Sequence, residues 1–209
     1  MSTKAPNPSL LKKEAAPDGK TKGGSVVFGD SAVLTPEISA ELERLGIEEY
    51  AKALREDGYV VVPPEVTGMT PQLVDELVGT LLRRSEELVG VPFTLEGMPS
   101  AIEWPEGSAG TLTGEESNQF LLTQTAKLGR CQRDLAIHPV AVALTRSIIG
   151  PSAMFSSFNC FLKGQGQGYG PSLGLHCDQG AVPLPWGDIA LNCNCTWALT
   201  DYTLEDGGL

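Results

Sequence analysis

The segment "PSLGLHCDQGAVPLPW", residues 171–186, sets His176 and Asp178 one residue apart in a chain with two histidines. In a strand, residues i and i+2 project from the same face. An extended "LHCDQ" therefore presents an imidazole and a carboxylate side by side. That donor pair suits a divalent first-row metal, and two histidines with one carboxylate on one face of Fe(II) leave positions open for a co-substrate and O₂. Spacing alone leaves a second outcome open, a buried histidine hydrogen-bonded to a neighbouring acid.

Outward from this pair the chain divides by composition. On its N-terminal side lies "GQGQGYG", residues 164–170. No helix follows it and no Lys-Ser/Thr closes it, which argues against a phosphate cradle and for a loop over a site mouth. Two strand candidates flank the motif, "AMFSSFNCFLK" at residues 153–163 and "IALNCNCTWALTDY" at residues 189–202.

The earlier part of the chain is helical in pattern. Thr35-Pro36 is a helix start, an N-cap residue followed by proline, and Ile38, Leu42 and Leu45 share a face before Gly46 interrupts. Ile47, Tyr50, Ala51 and Leu54 resume the pattern, and "DGYVVVPP" reads as a turn and short strand. Thr70-Pro71 opens a helix running to Gly90. Residues 91–117 read as loop and "QFLLTQTAKL" as helix. A further helix follows His138-Pro139 and stops at Gly150-Pro151. Helices first and strands afterwards fit a helical layer on a β-sheet. Residues 1–27 form a Lys-, Pro- and Gly-rich tail expected to be disordered, and residues 28–209 one domain.

Composition narrows the function. The net charge is −11, and residues 1–25 hold five lysines against Glu14 and Asp18, so the remaining chain is more acidic still. Such a body repels phosphate backbones, which disfavours nucleic acid. No apolar run is long enough for a membrane span, and no secretory h-region is present. The five cysteines suggest reduced thiols in a cytoplasmic or other reducing compartment; a peroxisomal location stays open.

With these pieces in order, the chain resembles the phytanoyl-CoA dioxygenase family of Fe(II)- and 2-oxoglutarate-dependent oxygenases. The resemblance rests on "REDGYVVVP", "HPVAVALTRSIIGP", "FNCFLKGQGQG", "LHCDQG" and "CTWALTDYTLEDGGL", and spans about residues 50–209. It implies a mainly β fold with an N-terminal helical layer, a double-stranded β-helix of the jelly-roll or cupin kind. His176 and Asp178 would be catalytic iron ligands, Asn159 and Trp197 would line the 2-oxoglutarate pocket, and Fe(2+), 2-oxoglutarate and O₂ would be required. The substrate would be a small molecule. For Trp197, core packing is an equal alternative.

The family pattern also calls for a second histidine and an arginine after the acidic turn. Neither is found by Leu209, so the β-helix is expected to be incomplete at the C-terminus and the 209-residue chain to be a fragment, inactive alone. His138, before a helix, reads as structural. Two alternatives stand beside the oxygenase. One is a non-catalytic homologue of the same fold. The other is a zinc site of His176, Cys177, Cys193 and Cys195, although alternating cysteines fit a buried strand better than a zinc turn.

Overall fold

In a computed structural model of the protein, the described residues are 34–90, 92–95, 119–163, 178 and 190–201. They form six α-helices, one 3-10 turn and two strands.

The first two helices are α1 (Pro36–Leu45) and α2 (Glu48–Asp57). Thr35 caps α1 by accepting the Ile38 N–H on Oγ1 at 3.4 Å, and Gly46 ends it in the left-handed region (φ 66°). The Gly46 interruption is thus a true helix break, since that conformation is costly for residues with a Cβ. A single turn, α3 (Pro64–Thr67), follows. The long helix α4 (Pro71–Val89) is capped by Thr70, whose Oγ1 accepts the Leu73 N–H at 3.2 Å. Then come β1 (Gln119–Leu122), a 3-10 turn at Thr125–Lys127, α5 (Arg130–Ala136), α6 (Pro139–Ile149) and β2 (Cys160–Lys163).

Two cores result. The first is helix on helix: Ile38 and Leu42 of α1, Ile47, Ala51 and Leu54 of the α2 unit, and Val140, Ala143, Leu144 and Ile148 of α6 are all buried together. The second joins the long helix to the sheet through Leu81, Phe93 and Leu122, with Leu162 and Cys160 against them. The sheet is a single antiparallel pair, with Leu121 opposite Phe161 and Leu122 opposite Cys160.

The helical layer agrees with expectation. Three local readings are corrected. "DGYVVVPP" forms no strand; residues 59–63 are irregular and Pro64 begins α3, because Val60 and Val62 pack sideways into the first core without a ladder partner. "QFLLTQTAKL" begins as β1, because its backbone pairs with residues 160–163 across a large sequence separation. Of residues 153–163, the last four are strand. The expected β-helix is not displayed by the described residues, and residues 190–201 carry no strand. A strand exists through its partners, and among the described residues β1 and β2 are the strands that find each other. The disordered-tail reading of residues 1–27 lies outside the described residues.

Candidate functional site

Residues 190–201 read "ALNCNCTWALTD". Asn192, Asn194, Cys195, Thr196 and Ala198 are exposed, whereas Cys193, Trp197 and Leu199 are half-buried. The half-buried set touches the layers behind. The Thr145 hydroxyl on α6 donates to Cys193 Sγ at 3.8 Å, Trp197 meets His138 at the start of α6, and Leu199 packs on the second core. The segment therefore runs antiparallel to α6. From Thr145 back to His138 is roughly 10 Å along a helix, and Cys193 to Trp197 covers a similar span when extended, roughly 13 Å.

Asp178 lies on the other side of this segment. Its Oδ2 accepts a hydrogen bond from the Asn194 side-chain amide, and its side chain is exposed. A carboxylate accepts only, so the amide nitrogen is the end that faces it. His176, the other half of the expected metal pair, lies outside the described residues, as do Cys177, Trp186 and the glycine-rich loop.

Asn159 stands immediately before β2. Its Oδ1 accepts the Gln124 N–H at 3.1 Å, while the Thr125 N–H and hydroxyl both donate to the Phe158 carbonyl at 2.8 and 2.9 Å. These bonds bring residues 123–127 against residues 155–159 and hold Gln124 in the left-handed region, φ 56°, which is rare for a residue with a side chain. Between the two segments is an open cavity of about 510 Å³, lined among others by Gln124, Lys127, Phe155, Phe158 and Asn159. Lys127 is the single charged side chain of that lining among the described residues, and its ammonium donates to the Gln124 amide oxygen. The local pattern of residues 119–128 points to helix, and Gln124 and Lys127 become wall residues only through the long-range pairing.

Trp197 and His138 are in edge-on contact, ring centroids 5.2 Å apart and planes inclined by 70°. The His138 ring is fixed by Nε2, 2.9 Å from the Thr67 carbonyl at the end of α3. That carbonyl is one of the orphan acceptors of a helix C-terminus. Because it can only accept, Nε2 carries the proton, and Nδ1 is the buried nitrogen with no hydrogen-bond partner. His138 is thus a structural residue, as its position before Pro139 suggested, with a ring contact to Trp197 that the sequence did not reveal.

Thiol chemistry is muted. Burial pushes the Cys160 thiol up to about 11. The Cys195 thiol is also raised, by burial first and by Cys193 second. Thiolate is the nucleophilic form, so the raised values oppose that role at Cys160 and Cys195. Among the described residues, no three His, Cys, Asp or Glu side chains gather to hold a metal ion.

The model of the phytanoyl-CoA dioxygenase family matches residues 54–209, most of the chain and including both His176 and Asp178. The chain belongs to the phytanoyl-CoA dioxygenase family. It is also 36 % identical over 76 residues to "Dioxygenase af480" of Aspergillus fumigatus, a match covering 36 % of this chain and 23 % of that protein. The chain thus aligns with about a quarter of the length of this curated relative. No solved structure matches the chain. No described helix is long and apolar enough to cross a membrane.

The donor chemistry fits the ion that the family implies. Asp178 offers an exposed, oriented carboxylate. His176 adds an imidazole two residues away in sequence. Oxygen and nitrogen donors of this kind suit Fe(II).

Proposed function

We propose that the protein is an Fe(II)- and 2-oxoglutarate-dependent hydroxylase of a small molecule. The observation that carries the reading is the His176-x-Asp178 pair within the family match, with Asp178 exposed and bonded to Asn194. His176 and Asp178 would hold the ferrous ion. Asn159 would flank the co-substrate, while Trp197, whose ring packs edge-on against His138 on the side of the segment away from Asp178, would support the site from behind. Bound there, iron would supply O₂ activation coupled to oxidative decarboxylation of 2-oxoglutarate to succinate and CO₂.

The chain's own residues contribute position and charge. Asp178 would bring negative charge to the ion, from an exposed side chain oriented by Asn194. The cavity beside Asn159 combines one lysine with amide and aromatic walls, a lining compatible with a small dicarboxylate. The acidic body suits a small substrate better than a polyanion.

The test is succinate release from 2-oxoglutarate by the full-length protein with Fe(II), measured with and without candidate substrates. His176→Ala is expected to abolish it. Undiminished succinate release in that variant removes His176 from the site and the reading with it.

A further inference from the structure

Beyond the two ligands, and resting on the iron-site reading above, we propose that Asn194 is a positioning residue that fixes the rotamer of Asp178 for metal binding.

Asn194 is held from behind. Its neighbours Cys193, Trp197 and Leu199 face Thr145, His138 and the second core. Asn194 itself is exposed, and its amide reaches Asp178. The helical layer thereby sets where the carboxylate stands: α3 holds His138 through Thr67, His138 braces Trp197, and the segment carrying Trp197 delivers Asn194.

The chemistry favours an amide for this task. A carboxylate on a flexible two-bond side chain has several rotamers, and a metal site needs one. An N–H donor to Oδ2 favours the one rotamer that meets it. Unlike Lys or Arg, an amide adds no positive charge beside a divalent cation. Hydrogen-bond partners of metal ligands of this kind contribute roughly 10–100-fold in metal affinity. Asn194 is exposed, so changing it removes no core volume.

Mn(II) is the probe. Its binding to the full-length protein is followed by the loss of the free-ion electron paramagnetic resonance signal, for the parent, Asp178→Ala, Asn194→Ala and Asn194→Gln, with far-UV circular dichroism on each. Asp178→Ala is expected to lose binding. Asn194→Ala is expected to weaken it roughly 10–100-fold with the fold intact, and Asn194→Gln, which keeps an amide donor, to recover part of the loss. In the unsubstituted protein, the first equivalent of Mn(II) is expected to broaden the Asn194 side-chain amide resonance beyond detection, a readout that survives even if a variant fails to fold. Parent-like affinity in Asn194→Ala, or a sharp Asn194 amide at one equivalent, overturns the positioning role while Asp178→Ala still reports on the ligand. Parent-like affinity in Asp178→Ala overturns the iron site itself, and the proposal falls with it.

Discussion

The imidazole of His138 meets the indole of Trp197 edge-on at 5.2 Å while its Nε2 is tied to the Thr67 carbonyl. One side chain thus joins the end of α3, the start of α6 and the segment that delivers Asn194 to Asp178. The hydrogen bond and the ring pair each contribute on the order of 1 kcal/mol. His138→Ala is therefore expected to cost about 1–3 kcal/mol by the same two contributions, read as a lower urea midpoint. His138→Phe keeps a ring and loses the donor, so its cost should be smaller. A double-mutant cycle with Trp197→Ala isolates the ring contact, and strict additivity would show that the contact contributes nothing.

The two threonine caps allow a comparison within one molecule. Thr70 accepts the Leu73 N–H at 3.2 Å, and Thr35 accepts the Ile38 N–H at a longer 3.4 Å. Loss of such a cap costs about 1 kcal/mol. Thr70→Ala should lower stability by about that amount and Thr35→Ala by less, since its bond is longer. Chemical denaturation of the two variants under one set of conditions checks the order; equal midpoints to the parent would mean that water replaces the hydroxyl at both ends.

These caps also explain which parts of the fold the sequence disclosed. Thr35-Pro36 and Thr70-Pro71 mark helix starts through a cap within one turn, and His138-Pro139 marks one through proline at the first helical position alone, so the bounds of α1, α4 and α6 were readable. The strand β1 was not, because Leu121 and Leu122 become a strand through Phe161 and Cys160, about forty residues away. The short α5, "RCQRDLA", escaped notice because it buries Gln132 beside Leu135 and so lacks an apolar stripe. At the site, Asp178 was visible by motif. Asn194 was not, because its role depends on a contact with Asp178 sixteen residues earlier that no local pattern reports.

Gln124 is the one described residue other than glycine with a positive φ, at 56°. That conformation costs a residue with a Cβ roughly 1–2 kcal/mol. Its amide is bonded to Asn159, the residue expected beside the co-substrate, so the strain lies at the cavity mouth. Gln124→Gly is expected to relieve part of it, with a net gain below about 1 kcal/mol because glycine also gains freedom in the unfolded chain. Asn159→Ala should do the opposite, removing an acceptor worth about 0.5–1.5 kcal/mol. Thermal denaturation of both variants tests the pair of signs; a destabilised Gln124→Gly would show that the conformation is not strained.

The Cys160 thiol sets the alkaline limit of the sheet. Burial between β1 and the second core raises it to about 11, from an ordinary 9.0. Its neutral form is the one favoured in the folded state, so its full contribution to stability is present below pH 9 and is lost as the pH rises toward 11. A difference of two units corresponds to about 3 kcal/mol at most. The denaturation midpoint should fall across that window, and Cys160→Val, which packs without ionising, should flatten the fall. Below pH 9 the thiol should react with iodoacetamide far more slowly than a free cysteine, because its thiolate fraction is small. Rapid alkylation in the folded protein, or the same alkaline fall in Cys160→Val, would place the responsible ionisation elsewhere.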